Sequence, residues 1–458
     1  MTDIQVRSWR TVLDNEQARA AASIAHEIAT RLRDPDRVAS AAATALQQTA
    51  FPQTHYWQPY KVSQGNAGLA VLFAQCDACF PGEGWDAAGH RHIVLAARDA
   101  EQSVHLSPGA FSGLSGLAFA VWQLSRGGSR YRNLIESLEQ TLLPQTLTLV
   151  RDLDDWRRDV TVSEFDAISG LSGIAAYLLC RREVPDVAAT LQALVESLVV
   201  MTAEDAGIPR WYTPGHLMWD ESTRKAYPHG NLNCGLAHGI PGPLVVLALA
   251  QLSGVKVPGL GEAIDRVATW LSQSRCDDEW GINWPTAVAL EGVETPGGMT
   301  LLRATPPAQA PWGPGRAAWC YGSPGVARAL WLAGEALDDT RFRALAISAM
   351  EAVYRRPIAA RSIDSPTFCH GVAGLMQITL RFANDTGLPL FTEAAQALAG
   401  QLLGLYDPDS LLGYQDIEYQ GRRVDQPGLL TGAPGVALAL LAAGMNVQPT
   451  WDRLFLLS

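Results

Sequence analysis

The chain has 458 residues, 48% of them hydrophobic and 18% charged, so it can bury a large core. Its formal net charge of −11 argues against a surface for nucleic acid or for anionic membranes, since both need basic patches. Length alone suggests about three domains, a prior that the internal repeats described below override.

Residues 1–14 predict an irregular lead-in, and Met1 to Arg7 holds no apolar run of a secretory signal. Positions 15–48 predict helix, broken into two pieces by Pro35. A short aromatic link follows from Phe51 to Tyr60, and then a series begins. Gly65-Asn66-Ala67-Gly68, Gly113-Leu114-Ser115-Gly116, Gly170-Leu171-Ser172-Gly173 and Gly239-Ile240-Pro241-Gly242 each open an apolar run. So do Gly322-Ser323-Pro324-Gly325, Gly371-Val372-Ala373-Gly374 and Gly432-Ala433-Pro434-Gly435. The first glycines of these seven copies are 48, 57, 69, 83, 49 and 61 residues apart. Such spacing fits a repeated unit with variable loops and not a tight solenoid.

The opened runs are apolar nearly all round, as buried helices are, and none is long enough to span a bilayer. Between them, 131–149, 186–203, 260–274, 340–355 and 391–405 carry apolar residues at helical spacing on one stripe only. Alternating buried and half-buried helices predict an all-α fold, an α/α toroid of seven inner and seven outer helices formed by a single domain over 1–458. Successive inner helices would run parallel, with every Gly-x-x-Gly at one rim. Two intervals, 204–237 and 276–319, are rich in Trp, Pro, Gly and Asn. Loops of that length in a compact domain are usually functional, and short strands are expected within them.

Aligned on the first glycine of each copy, the reactive residues share positions. Cys320 and Cys369 both stand two residues before it, and His370 and His238 one before. Asp166 stands four before and Arg316 six before. Two thiols and an imidazole suit a single zinc ion with its fourth position open, the arrangement of a catalytic site. The toroid would bring residues from repeats three to six to one rim, where helix N-termini favour anions. Other readings stand beside this one. Asp166 could cap the following helix. Arg316 could be a surface charge, and His238 a satisfied rim histidine. Cys180, Cys234 and Cys276 read as core residues, and Cys76-x-x-Cys79 as structural, in a chain whose seven cysteines and missing export signal suggest a reducing compartment. His26, His55, His90, His92 and His105 have no comparable context, while His216 and His229 lie in the first long loop.

Gly235-Leu236-Ala237-His238-Gly239-Ile240-Pro241-Gly242, Trp319-Cys320-Tyr321-Gly322 and Cys369-His370-Gly371 resemble the signatures of the lanthionine (lanthipeptide) cyclases, the LanC-like family. The seven glycine repeats extend the resemblance over almost the whole chain. It implies an α/α toroid that binds one zinc ion and cyclises dehydrated ribosomal peptides. It implies Cys320, Cys369 and His370 as metal ligands and matches His238 and Asp166 to the family's acid–base residues. Arg316, Trp319 and Tyr321 match further active-site positions. The dehydratase of the two-domain relatives is absent, so a stand-alone, class I type is expected, in the cytoplasm. The expected partners are a leader-bearing dehydrated precursor and a separate dehydratase, with a transporter and peripheral membership of a membrane complex left open.

The implied chemistry is addition of a cysteine thiolate to the β-carbon of dehydroalanine or dehydrobutyrine, giving a thioether ring. Arg316 or helix N-termini would stabilise the enolate, and His238 would supply the α-proton. The division of acid and base work between His238 and Asp166 stays open. Three alternatives are carried: addition of glutathione-type thiols to dehydro residues, a zinc-stabilised peptide-binding scaffold, and a sugar-processing toroid. The last would need paired carboxylates, for which only Glu164 and Asp166 are candidates.

Overall fold

A computed structural model describes residues 8–53, 56–155, 159–294 and 300–458. Residues 1–7 of the expected lead-in, part of the aromatic link with His55, and residues 295–299 of the second long interval lie outside the described residues. The first pair of helices is α1 (Asn15–Arg31) and α2 (Pro35–Gln48). Asp14 caps α1 by accepting the Glu16 and Gln17 N–H groups, and Asp34 caps α2 by accepting the Asp36 N–H. Pro35 is the first residue of α2, where its missing N–H costs nothing.

The next helices are α3 (Asn66–Cys79), α4 (Trp85–Gln102), α5 (Leu114–Leu124), α6 (Arg132–Asp154), α7 (Val162–Phe165), α8 (Leu171–Cys180) and α9 (Pro185–Met201). Then come β1 (Glu204–Asp205), β2 (Ile208–Pro209), α10 (Glu221–Ala226), β3 (Asn231–Asn233), α11 (Pro241–Leu252) and α12 (Leu260–Gln273). The rest are β4 (Ala287–Glu294), β5 (Thr300–Ala304), α13 (Ser323–Leu337), α14 (Thr340–Arg355), α15 (Val372–Thr386), α16 (Pro389–Gly404), β6 (Asp416–Ile417), β7 (Arg423–Val424) and α17 (Ala433–Gly444).

The seven repeat helices are α3, α5, α8, α11, α13, α15 and α17. Six of them take their repeat's first glycine as N-cap. In the fourth, Ile240 is the cap and Pro241 opens the helix. These helices are buried along most of their length, as their uniform apolarity requires. The intervening stretches form α6, α9, α12, α14 and α16 close to the expected limits. Helix α4 escapes the sequence reading. Its buried face includes Gly89 and His92, where a stripe would show apolar side chains.

The chain divides into two compact units. One comprises the chain up to Leu106, Phe111–Glu136 and Ile363–Asp452. There α15, α17, α3 and α5 pack side by side in that order, backed by α16 on α15, α1 on α17 and α4 on α3. The partner of the last repeat helix thus comes from the start of the chain. The other unit comprises Ser107–Ala110, Ser137–Ser362 and Arg453–Ser458. There α8, α11 and α13 lie side by side, with α9, α12 and α14 packed on them. Strands occur in both long intervals, as expected. β3, β4 and β5 form an antiparallel sheet, with Leu232 opposite Val288 and Gly292 opposite Leu302. The short β6–β7 pair and α10 are too brief to leave a periodic signal.

A backbone ladder joins the loops that precede the repeat helices. In the first unit the Cys369 N–H donates to the Leu430 carbonyl (3.0 Å), Leu430 to Ser63 (3.4 Å) and Ser63 to Phe111 (3.0 Å). All four residues stand two positions before their first glycine. In the second unit Ala110 donates to Ile168 (3.1 Å), Ala167 to Ala237 (3.0 Å) and Ala237 to Cys320 (3.3 Å). The acceptors stand at that same position. The ladder satisfies loop peptide groups that would otherwise be buried unpaired, and it turns a shared register into adjacency within each unit. The glycines make it possible. A Cβ on Gly68, Gly173, Gly325 or Gly435 would meet the carbonyl of the residue six positions earlier. Gly322 also has φ +95°, a conformation open to glycine.

Candidate active site

The second unit gathers the acid–base candidates. Asp166 ends α7 and is almost fully buried, at 1% exposure. Its Oδ1 accepts the N–H groups of Ile168 (3.1 Å), Ser169 (2.7 Å) and Gly170 (2.9 Å). Its Oδ2 lies 2.6 Å from Nδ1 of His238. Asp166 does not cap α8, whose N-cap is Gly170 without a side-chain bond, and its two oxygens have separate partners. One oxygen braces the loop leading into α8, and the other holds an imidazole 72 residues away in sequence. A carboxylate can only accept, so Nδ1 of His238 carries the hydrogen and Nε2 is left as the neutral ring's acceptor. The His238 side chain is 29% exposed, enough for a substrate to reach it.

Two rings flank His238. Trp219 meets it edge-on at 6.1 Å between centroids, and Tyr321 lies tilted at 6.3 Å. Trp219 itself is 64% exposed, just before the Asp220 cap of α10. The Tyr321 hydroxyl accepts from Nδ2 of Asn233 at 3.3 Å, while Oδ1 of Asn233 accepts the Gly235 N–H at 2.9 Å. A Cβ at Gly235 would come 2.5 Å from the Tyr321 ring. The glycine is what admits the aromatic ring between the fourth and fifth repeats. Cys320, beside Tyr321, is buried, and its carbonyl receives the Ala237 N–H.

The remaining candidates divide. Trp319 is fully buried, its indole N–H donating to the Phe455 carbonyl at 2.9 Å and its ring edge-on to Phe455. This places its side chain in the core beneath the Cys320 loop. Arg316 is exposed, on a loop fixed by the Gly315 N–H to Trp284 and the Ala317 N–H to Arg361. Cys369 and His370 belong to the first unit and are partly buried. Nε2 of His370 lies 3.8 Å from Oδ1 of Asp416, whose side chain is 3% exposed. Sequence reading did not single out Trp219, Asn233 or Asp416. Asn233 stands six residues before Gly239, the register position of Arg316, and could have been found by it; Trp219 lies outside that register, and Asp416 sits on a two-residue strand.

The other five cysteines are held as thiols by burial. Burial raises Cys76 well above the usual thiol range and pushes Cys79 and Cys276 up to about 11. It raises Cys234 still further and Cys180 as well. Such thiols are poor nucleophiles and poor ligands at neutral pH. Among the described residues no group of three or more His, Cys, Asp and Glu side chains is gathered as an ion site. The donor chemistry of Cys320, Cys369 and His370 nevertheless fits zinc, and the buried carboxylate facing His370 is the usual companion of a ligating imidazole. Among the described residues no helix is long and apolar enough to cross a membrane.

Known proteins resemble this chain in sequence and in fold. The profile of the family described as lanthionine synthetase C-like protein matches residues 56–456. Nisin biosynthesis protein NisC of Lactococcus lactis subsp. lactis is 26% identical over 313 residues, covering 68% of this chain and 71% of that protein. The solved structure of nisin cyclase superposes with a TM-score of 0.72 at 22% identity, over 91% of this chain and 96% of that one. The fold class is accordingly the all-α, α/α toroid of that structure, as the repeat pattern predicts. By a family match that runs through both units, the chain belongs to the lanthionine synthetase C-like family.

Proposed function

We propose that this protein is a zinc-dependent lanthipeptide cyclase, working as one catalytic domain. It closes thioether rings between a cysteine and a dehydroalanine or dehydrobutyrine of one peptide. The observation that carries the reading is the 2.6 Å pair between His238 and the buried Asp166, beside Tyr321 and the Cys320 loop. Family membership and the likeness to a nisin biosynthesis protein support the substrate class.

Cys320, Cys369 and His370 would hold the metal. Zinc bound there supplies the charge that keeps a substrate cysteine as thiolate at neutral pH. The chain's own groups account for the rest. Addition forms one S–C bond at the β-carbon, breaks the C=C π bond, and moves the thiol proton to the α-carbon, so the product has the mass of the substrate. Asp166 fixes the ring orientation and tautomer of His238. Nε2 of His238 can then take up the thiol proton and return it to the α-carbon from the same atom. Exposed Arg316 and the N-termini of the repeat helices provide positive potential for the developing enolate. Trp219 and Tyr321 offer aromatic walls to the peptide, and Trp319 anchors the Cys320 loop from below.

The substrate in this reading is a leader-bearing precursor already dehydrated by a separate enzyme in the cytoplasm, with a transporter-containing membrane complex as the setting for both steps. The test is incubation with a dehydrated precursor, read by thiol alkylation and fragmentation mass spectrometry. Loss of free thiols without change of mass, with fragmentation blocked inside the new rings, is the expected result. Adducts with added glutathione in place of rings would refute cyclisation. Unaltered thiols would favour a binding scaffold.

A further inference from the structure

We infer that Asp416 is the residue that positions His370 for metal binding; the inference rests on the zinc reading above. Asp416 opens β6, and its side chain is 3% exposed with Oδ1 3.8 Å from Nε2 of His370. A carboxylate this deeply buried is costly unless charged or hydrogen-bonding groups surround it. The Ser365 hydroxyl donates to the same Oδ1 at 2.8 Å. Ser365 is itself fully embedded in the local frame. Its Oγ accepts the Ile417 N–H at 3.4 Å and lies 3.1 Å from Oγ1 of Thr367. Its carbonyl receives the N–H of Val372, the first residue of α15, at 2.9 Å. One serine therefore ties the carboxylate to the helix start that carries His370.

The geometry has a direct consequence for the imidazole. With Nε2 toward Asp416, Nδ1 is the nitrogen that would hold an ion. The present separation of 3.8 Å is about 0.6 Å beyond the usual N–H···O range, a gap that a small ring rotation would close. Once closed, Nε2–H···Oδ1 fixes the tautomer and raises the basicity of Nδ1. A purely structural Asp416 would leave metal affinity untouched once the fold is intact.

The experiment measures zinc content and chelator-competition affinity of the full chain, with circular dichroism and thermal melts as folding controls. Cobalt(II) substitution adds a spectroscopic readout. Wild type should bind one zinc, and His370→Ala should lose it. Asp416→Asn should fold, bind zinc about 10–100-fold more weakly, and alter the cobalt–thiolate absorption. Asp416→Glu should recover part of the affinity, and Ser365→Ala should weaken it to a smaller degree. If Asp416→Asn folds and binds zinc with unchanged affinity and spectrum, the inference is overturned while the zinc reading stands. If Asp416→Asn does not fold, Ser365→Ala decides: weakened binding supports the role and unchanged binding overturns it. A wild-type chain that binds no zinc would overturn the zinc reading itself, and the inference with it.

Discussion

Replacing Asp166 separates its two duties. Its Oδ1 accepts three backbone N–H groups at 2.7, 2.9 and 3.1 Å, and its Oδ2 meets His238 at 2.6 Å. Asp166→Ala removes all four partners from a buried pocket and should cost roughly 3–5 kcal/mol of stability, the range for breaking a buried charged network on one side. Asp166→Asn keeps an oxygen for the three N–H groups and loses only their charge assistance, about 1–2 kcal/mol in total. It does more to the chemistry. The new amide donates to Nδ1 of His238, so the proton moves to Nε2 and the neutral ring can no longer accept there. Ring closure should therefore slow by about 10²–10⁴-fold, the usual worth of a positioned acid–base group. Urea unfolding measures the first effect, and time-resolved loss of substrate thiols measures the second. If Asp166→Asn cyclises at the wild-type rate, the dyad is not part of the mechanism. If it unfolds as readily as Asp166→Ala, Asp166 is chiefly a loop brace.

Three further outcomes are expected. Cys320→Ala should lose zinc and cyclisation together, whereas His238→Ala should keep zinc and lose ring formation; metal analysis beside the alkylation assay distinguishes them, and stoichiometric zinc in an active Cys320→Ala would refute the ligand assignment. Gly322→Ala should cost roughly 1–3 kcal/mol from its positive φ alone, with more from the Cβ meeting the Arg316 carbonyl, and should displace the Cys320–Tyr321 loop. A urea midpoint equal to wild type would show that this turn is relaxed. His92, buried against Phe73 and Asn66, is pulled down by burial from 6.5 to about 4, with Arg91 lowering and Asp34 raising it in addition. Between those values the unfolded chain binds a proton that the folded chain does not. This contribution is complete above about pH 6.5 and is lost as pH falls toward 4, by about 3 kcal/mol in all. His92→Gln should flatten that part of the stability–pH curve, and an unchanged curve would count against it.

The helical repeat, its count of seven, the register of Cys320, Cys369, His370 and His238, and the family resemblance are all legible in the residues alone. Each is local: apolar runs form buried helices wherever they are placed, and glycines before them mark where backbones must approach closely. Tertiary structure alone decided which residues face each other. Asp166 and His238 meet because the loops of successive repeats hydrogen-bond through Ala167 and Ala237, a pairing that no spacing encodes. Helix α1 covers α17 only because the first helices and Ile363–Asp452 pack within one unit. The burial of Trp319 against Phe455 was likewise invisible, since the two are 136 residues apart. Asp416 beside His370, on a strand too short for any pattern, is the clearest instance. Register is written into neighbouring residues, whereas contact across tens of residues depends on how the whole chain closes its loops and buries its apolar surface.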